Sequence, residues 1–129
     1  MIESIGIFVY PARPMTRPPE FRILTHRSGS TVEIAIHGEL DLATTARLDA
    51  EFARVGALDG LELAVVDLRN LAFLDSTGLE AILKFESAAR AAGVSVAVVR
   101  GPRAVERLFA VMQLDRRLRI VDDPAELAG

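Results

Sequence analysis

The sequence predicts an α/β protein: a single domain built on a mixed β-sheet of four to six strands, with α-helices packed against it. Three observations carry that expectation. Apolar runs of strand length alternate with segments whose apolar residues recur at helical spacing. The first two strand-like runs flank a short turn and so supply an antiparallel pair. The later ones are separated by helices, which implies parallel neighbours joined by crossovers. At 129 residues the chain is long enough for one real core and too short for two.

Residues 1–20 stand apart, because Pro11, Pro14, Pro18 and Pro19 interrupt any ladder or helix there. They read as a proline-rich arm, either disordered or contributing residues 5–10 as an extra edge strand. A start at Met15 would leave most of the arm outside the protein. Residues 21–122 read as the domain and 123–129 as a polar tail.

Within the domain, 21–25 and 31–37 read as strands around Ser28-Gly29-Ser30, a hairpin turn. In the second, Val32, Ile34 and Ile36 alternate with Glu33, Ala35 and His37, so one face is buried. A helix over 43–55 places Leu48, Phe52 and Val55 on one side. The apolar run 61–68 suits a central strand. The segment 77–92 reads as a helix closed by Gly93, and 94–99 (VSVAVV) as a second buried strand. Pro102 opens a third helix, where its missing N–H costs nothing, and Val105, Leu108, Phe109 and Met112 form a core-facing stripe. A last short strand falls at 118–121.

Composition removes several classes of function. With 50% hydrophobic and 26% charged residues the chain is ordinary for a soluble domain. A net charge of −3 lacks the basic footprint of a nucleic-acid binder. There is no cysteine, so disulfides, thiolate catalysis and Cys-ligated zinc are excluded, and the count of two histidines argues against a multi-His metal site. The longest uncharged stretches, 4–12 and 91–99, are nine residues each, far short of the ~20 that span a bilayer. With Glu3 and no basic segment, the N-terminus is a poor signal peptide, and a cytoplasmic protein is expected. No cofactor, membrane or nucleic-acid partner is expected, and the protein should be a monomer or weak dimer.

Chemistry concentrates at two strand ends, where open α/β sheets place their sites. One is Gly38-Glu39-Leu40-Asp41; the other is Asp75-Ser76-Thr77-Gly78 at a strand-to-helix junction, and the sheet could set them side by side. Thr77-Gly78-Leu79-Glu80 fits a capping box, with Thr77 as N-cap and Glu80 folding back. That leaves Ser76 ahead of the first turn with its hydroxyl exposed. A phosphate there would meet the positive end of the helix and the carboxylates of Asp75 and Asp41. Ser76 as a nucleophile is disfavoured: LDSTG is not the G-x-S-x-G elbow, His26 lies near the hairpin turn, and His37 points outward from its strand. No phosphate-cradling glycine motif is present. The one lysine, Lys84, lies within the 77–92 helix, which argues against a receiver-type phosphoacceptor.

GELD followed by FLDSTGLEAIL resembles the STAS domain of bacterial anti-sigma-factor antagonists. The resemblance runs over about 21–121 and includes RAVERLFAVMQLD, similar to the family's closing amphipathic helix. It implies a small STAS-type α/β domain with no catalytic activity of its own. Its unphosphorylated form would bind an anti-sigma factor that is also a serine kinase of the GHKL ATPase type, releasing the sigma factor. By the same matching Ser76 is the phosphoacceptor. Asp41, Glu39, Asp75, Thr77 and Gly78 form its surroundings and the partner-binding surface, and a serine phosphatase reverses the modification. ATP and magnesium would belong to the partner. The arm has no counterpart in the minimal family domain, and Glu80 stands where the family commonly carries a small residue. STAS domains also serve as accessory subunits of ABC lipid-transport complexes, the alternative reading.

Overall fold

The computed structural model of the protein describes residues 6–8 and 20–127. In chain order these form β1 (Gly6–Phe8), β2 (Arg22–Ser28), β3 (Thr31–Leu40), α1 (Thr45–Gly56), β4 (Leu63–Asp67), β5 (Leu71–Asp75), α2 (Ser76–Ala91), β6 (Ser95–Val99), α3 (Arg103–Val111) and β7 (Arg119–Val121). Short 3-10 turns cover Leu114–Arg116 and Pro124–Leu127. Of the edge strand expected over 5–10, Gly6–Phe8 is a strand; apart from Glu20, the rest of the arm lies outside the described residues.

The sheet is mixed, as expected, and runs β1-β5-β3-β4-β6-β7, with β2 paired to β3. β2–β3 is the antiparallel hairpin, and β3–β4, β4–β6 and β6–β7 are parallel. Six strands come from β2 to β7, and β1 adds a seventh by pairing antiparallel with β5. The strand that the sequence pattern hid is β5. It follows β4 after three residues, with no helix between, because the two strands pair in parallel with successive segments of β3 and not with each other. β4 pairs with Thr31 to Ala35 and β5 with Gly38 to Leu40. No crossover is then needed between them, and helix-strand alternation gives no sign of the second.

The register shifts between Gly38 and Glu39, where β3 passes from β4 to β5. Gly38 has φ +91°, and a methyl group on it would lie 2.7 Å from the Glu20 carbonyl oxygen. Only glycine fits this bulge.

Alternate residues of β3 (Val32, Ile34, Ile36, Leu40) face the main core with Ala64 and Val66 of β4 and Val96 and Val98 of β6. Leu48, Phe52 and Val55 of α1 cover them together with Leu79, Ile82 and Phe85 of α2. Phe52 and Phe85 stack with ring centroids 4.1 Å apart, which locks the two helices together. Val65, Val99 and Val121 form a smaller cluster with Leu63 and Leu127. At the end of α2, Gly93 takes φ +83°; its N–H donates to the Arg90 carbonyl (3.0 Å) and that of Val94 to Ala89 (2.8 Å). This is the glycine-centred cap expected there. The α3 stripe is shorter than its spacing implies. Val105 and Phe109 are buried, but Met112 is 51% exposed, because the helix ends at Val111 and the chain turns at Gln113 (φ 55°).

Candidate phosphoacceptor site

The junction is built differently from the capping box that the spacing suggests. Asp75, not Thr77, is the N-cap of α2: its backbone is extended (φ −113°, ψ −178°), the geometry an N-cap needs and the one a strand's last residue already has. Gly78 N–H donates to Asp75 Oδ1 at 3.0 Å, and the Thr77 hydroxyl donates to the same oxygen at 2.6 Å. Glu80 is exposed and makes no return hydrogen bond among the described residues. An aspartate on a strand end therefore wins over a threonine two residues later, and the helix begins at Ser76.

Ser76 is the first helical residue, half-buried, and its hydroxyl bonds no described residue. Thr77 is half-buried with its hydroxyl engaged. Asp75 is fully buried and Gly78 is buried, so these two shape the site from beneath rather than offering surface.

Gly78 joins the two motifs physically. A methyl group there would lie 2.5 Å from Leu40 Cγ and 3.1 Å from Leu74 Cδ1. The absent side chain lets the first turn of α2 sit against the end of β3. Leu40 and Leu74 are ladder partners, so Asp41 and Asp75 each follow a member of one pair. The expected side-by-side placement of the two strand ends is what the register gives.

Asp41 is held by its own turn. Its Oδ1 accepts from Ala43 N–H (3.0 Å) and Thr44 N–H (3.1 Å). The Thr44 hydroxyl accepts from Asp41 N–H (3.0 Å) and donates to the Glu39 carbonyl (2.8 Å), and the Thr45 hydroxyl donates to the Asp41 carbonyl (2.7 Å). Glu39 and Asp41 are half-buried. The turn displays Leu42, 67% exposed, a residue the sequence reading did not single out. Its only signal is an apolar residue inside a polar turn. Thr44 was also missed, since its role depends on hydrogen bonds back to β3.

The histidines lie elsewhere. His26 and His37 sit on the β2–β3 hairpin, opposite Glu33 and Arg22. On β3 the alternation puts His37 on the face away from Ile34 and Ile36, whereas α2 packs on their side. Nearer the sheet's centre, burial works against the charge of Asp67, yet hydrogen bonds from Arg69 hold its carboxyl below the usual range.

A mixed sheet whose parallel strand ends carry an aspartate turn and an aspartate-capped helix start defines an α/β domain with a pre-formed surface at one pole. The chain belongs to the STAS domain family, whose sequence pattern matches residues 22–127. Its fold is similar to that of an anti-sigma-factor antagonist from Mycobacterium paratuberculosis, with TM-score 0.70 at 22% identity over 83% of this chain and 90% of that one. It is also similar to the anti-sigma-factor antagonist SpoIIAA in its unphosphorylated form (TM-score 0.69, 18% identity, 84% and 93% covered). The phosphorylated form of SpoIIAA, a Bacillus cell-fate determinant, gives TM-score 0.64 at 17% identity, with 84% and 96% covered. Comparison with curated protein sequences gives no significant match. No described helix is long and apolar enough to cross a membrane.

Proposed function

We propose that this chain is an anti-sigma-factor antagonist that works by binding and has no catalytic activity of its own. Unphosphorylated, it binds an anti-sigma factor that is also a serine kinase of the GHKL ATPase type and frees the sigma factor in the cytoplasm. Phosphorylation of Ser76 ends binding, and a serine phosphatase restores it. The observation that supports this reading is the state of Ser76: a hydroxyl bonded to no described residue, on the first turn of α2, beside the rigid Asp41 turn. A phosphate there adds about −1.5 to −2 charges to a surface that otherwise offers a neutral hydroxyl. The helix N-terminus stabilises that charge by about 0.3–1 kcal/mol, so the modification alters the docking surface without unfolding the domain. The existence of both unphosphorylated and phosphorylated SpoIIAA structures is consistent with such a switch.

Incubation with the cognate kinase and ATP, followed by mass spectrometry, should place one phosphate on Ser76. Undiminished phosphorylation of Ser76→Ala would refute the assignment. Ser76→Asp should weaken kinase binding and leave thermal stability nearly unchanged. Co-purification with transport ATPase subunits, insensitive to Ser76→Asp, would instead identify an accessory subunit.

A further inference from the structure

A cavity of about 420 Å³ opens between α1 and α2. The cleft is half open to solvent, and its volume falls in the range of small-molecule sites. It exists because the helix faces that meet here carry small residues: Ala53 and Gly56 on α1, Ala81 and Ala88 on α2 and Ala92 just past its end. The stacked Phe52 and Phe85 close one side, and Ala64 of β4 contributes to the lining.

Two charged residues also line it, Asp49 and Lys84. Lys84 is the only lysine in the sequence, is exposed, and forms no ion pair with a described residue. Its four-carbon stem can lie along the apolar wall while the ammonium reaches across the mouth. Asp49 has a short side chain one turn before Phe52, cannot extend in this way, and repels a second negative charge.

From this complementarity we propose that the cavity binds an apolar monocarboxylate, with its hydrocarbon body against Phe52 and Phe85 and its carboxylate on Lys84. The site is distinct from the Ser76 surface. Ser76 and Lys84, which takes the carboxylate, are eight residues apart on one helix, roughly 12 Å at ~1.5 Å per residue. Binding is therefore independent of the phosphorylation reading.

Calorimetric titration of the full chain with decanoate, below its micellar concentration, tests the proposal against decylamine and decanol. Saturable one-to-one binding of decanoate is expected. Lys84→Met should weaken it roughly tenfold or more, the loss of a charge-assisted hydrogen bond, and Asp49→Asn should tighten it. Ala88→Trp, at an exposed position, should fill the mouth and abolish binding with an unchanged circular dichroism spectrum. Absence of saturable decanoate binding, full affinity in Lys84→Met or in folded Ala88→Trp, or equal affinity for decylamine would each overturn it.

Discussion

Replacing Gly78 by alanine tests whether contact between α2 and the end of β3 is a real constraint. In an unconstrained helix interior the change stabilises by up to about 0.8–1 kcal/mol. Here the new methyl would stand 2.5 Å from Leu40 Cγ, 2.9 Å from Leu40 Cδ2 and 3.1 Å from Leu74 Cδ1. Leu40 and Leu74 are both fully buried, so neither can swing into solvent. Forcing Leu40 off its rotamer costs about 0.5–1.5 kcal/mol, and overpacking of a tight core about 1–3 kcal/mol. The net expectation is a loss of about 1–2 kcal/mol. At an m-value of about 1.5 kcal/mol/M that lowers the urea midpoint by about 1 M. Leu40→Ala removes the obstructing atoms and alone should cost about 2–5 kcal/mol. In the double variant the alanine at 78 has room, so the combined loss should fall short of the sum by about 1–2 kcal/mol. Denaturation of all four proteins, followed by circular dichroism, measures the coupling. A neutral or stabilising Gly78→Ala, or strict additivity in the double variant, would refute the close-approach argument.

Three further outcomes follow from the same geometry. Asp75→Ala should lose about 1–3 kcal/mol, since a cap disappears and the Gly78 N–H and Thr77 hydroxyl lose their acceptor, whereas Asp75→Ser should retain much of it; equal losses in denaturation would count against the cap. Gly38→Ala should destabilise more than Gly78→Ala, because the opposing atom is backbone at a positive φ; a smaller loss in the same assay would contradict the bulge. The third is acid sensitivity. Arg54 holds the Glu51 carboxyl below its usual range, burial opposing and the Thr25 hydroxyl assisting, and Asp67 is likewise lowered by Arg69 against burial. A carboxylate with a depressed folded-state pKa contributes stability that is complete above the ordinary carboxylate pKa and lost as pH falls through the folded value. The urea midpoint should therefore fall as acidity increases below the ordinary carboxylate range, and Glu51→Gln should flatten that fall; an identical pH profile would exclude the pair as a contributor.

Much of this structure was legible because the helices and β3 carry their own periods, while β4 and β6 are apolar runs of strand length set off by helices. Leu48, Phe52 and Val55 declare the buried face of α1, and Val32, Ile34 and Ile36 that of β3. What could not be read depends on non-local geometry. β5 is uniformly buried, so it has no alternation to detect, and its neighbours are set by a bulge at Gly38 some thirty residues earlier. Met112 matched the helical period but fell past the last turn of α3. Leu42 and Thr44 acquire their places only once the Asp41 turn is closed against β3.

Moving the cap from Thr77 to Asp75 changes what the two hydroxyls can do. With Thr77 as N-cap, its oxygen would accept from the helix and the choice between the hydroxyls would rest on exposure alone. With Asp75 as cap, Thr77 becomes a donor to a fully buried carboxylate at 2.6 Å. Phosphorylating Thr77 would remove that proton and bring a dianion against Asp75, so the helix start would lose a charge-assisted bond and gain a repulsion. Ser76 has no such bond to lose, since its hydroxyl is bonded to no described residue. Under the proposed function, the cap would then favour Ser76 over Thr77 as acceptor as well as starting the helix. Asp75→Asn separates the two roles: its side-chain oxygen can still cap Gly78, but the charge that disfavours phosphate on Thr77 is gone. Under the proposed kinase reaction, Thr77 should then take up measurable phosphate in the Ser76→Ala background. A Ser76→Ala, Asp75→Asn protein that binds the kinase and still excludes phosphate from Thr77 would show that the kinase, not the cap, makes the choice.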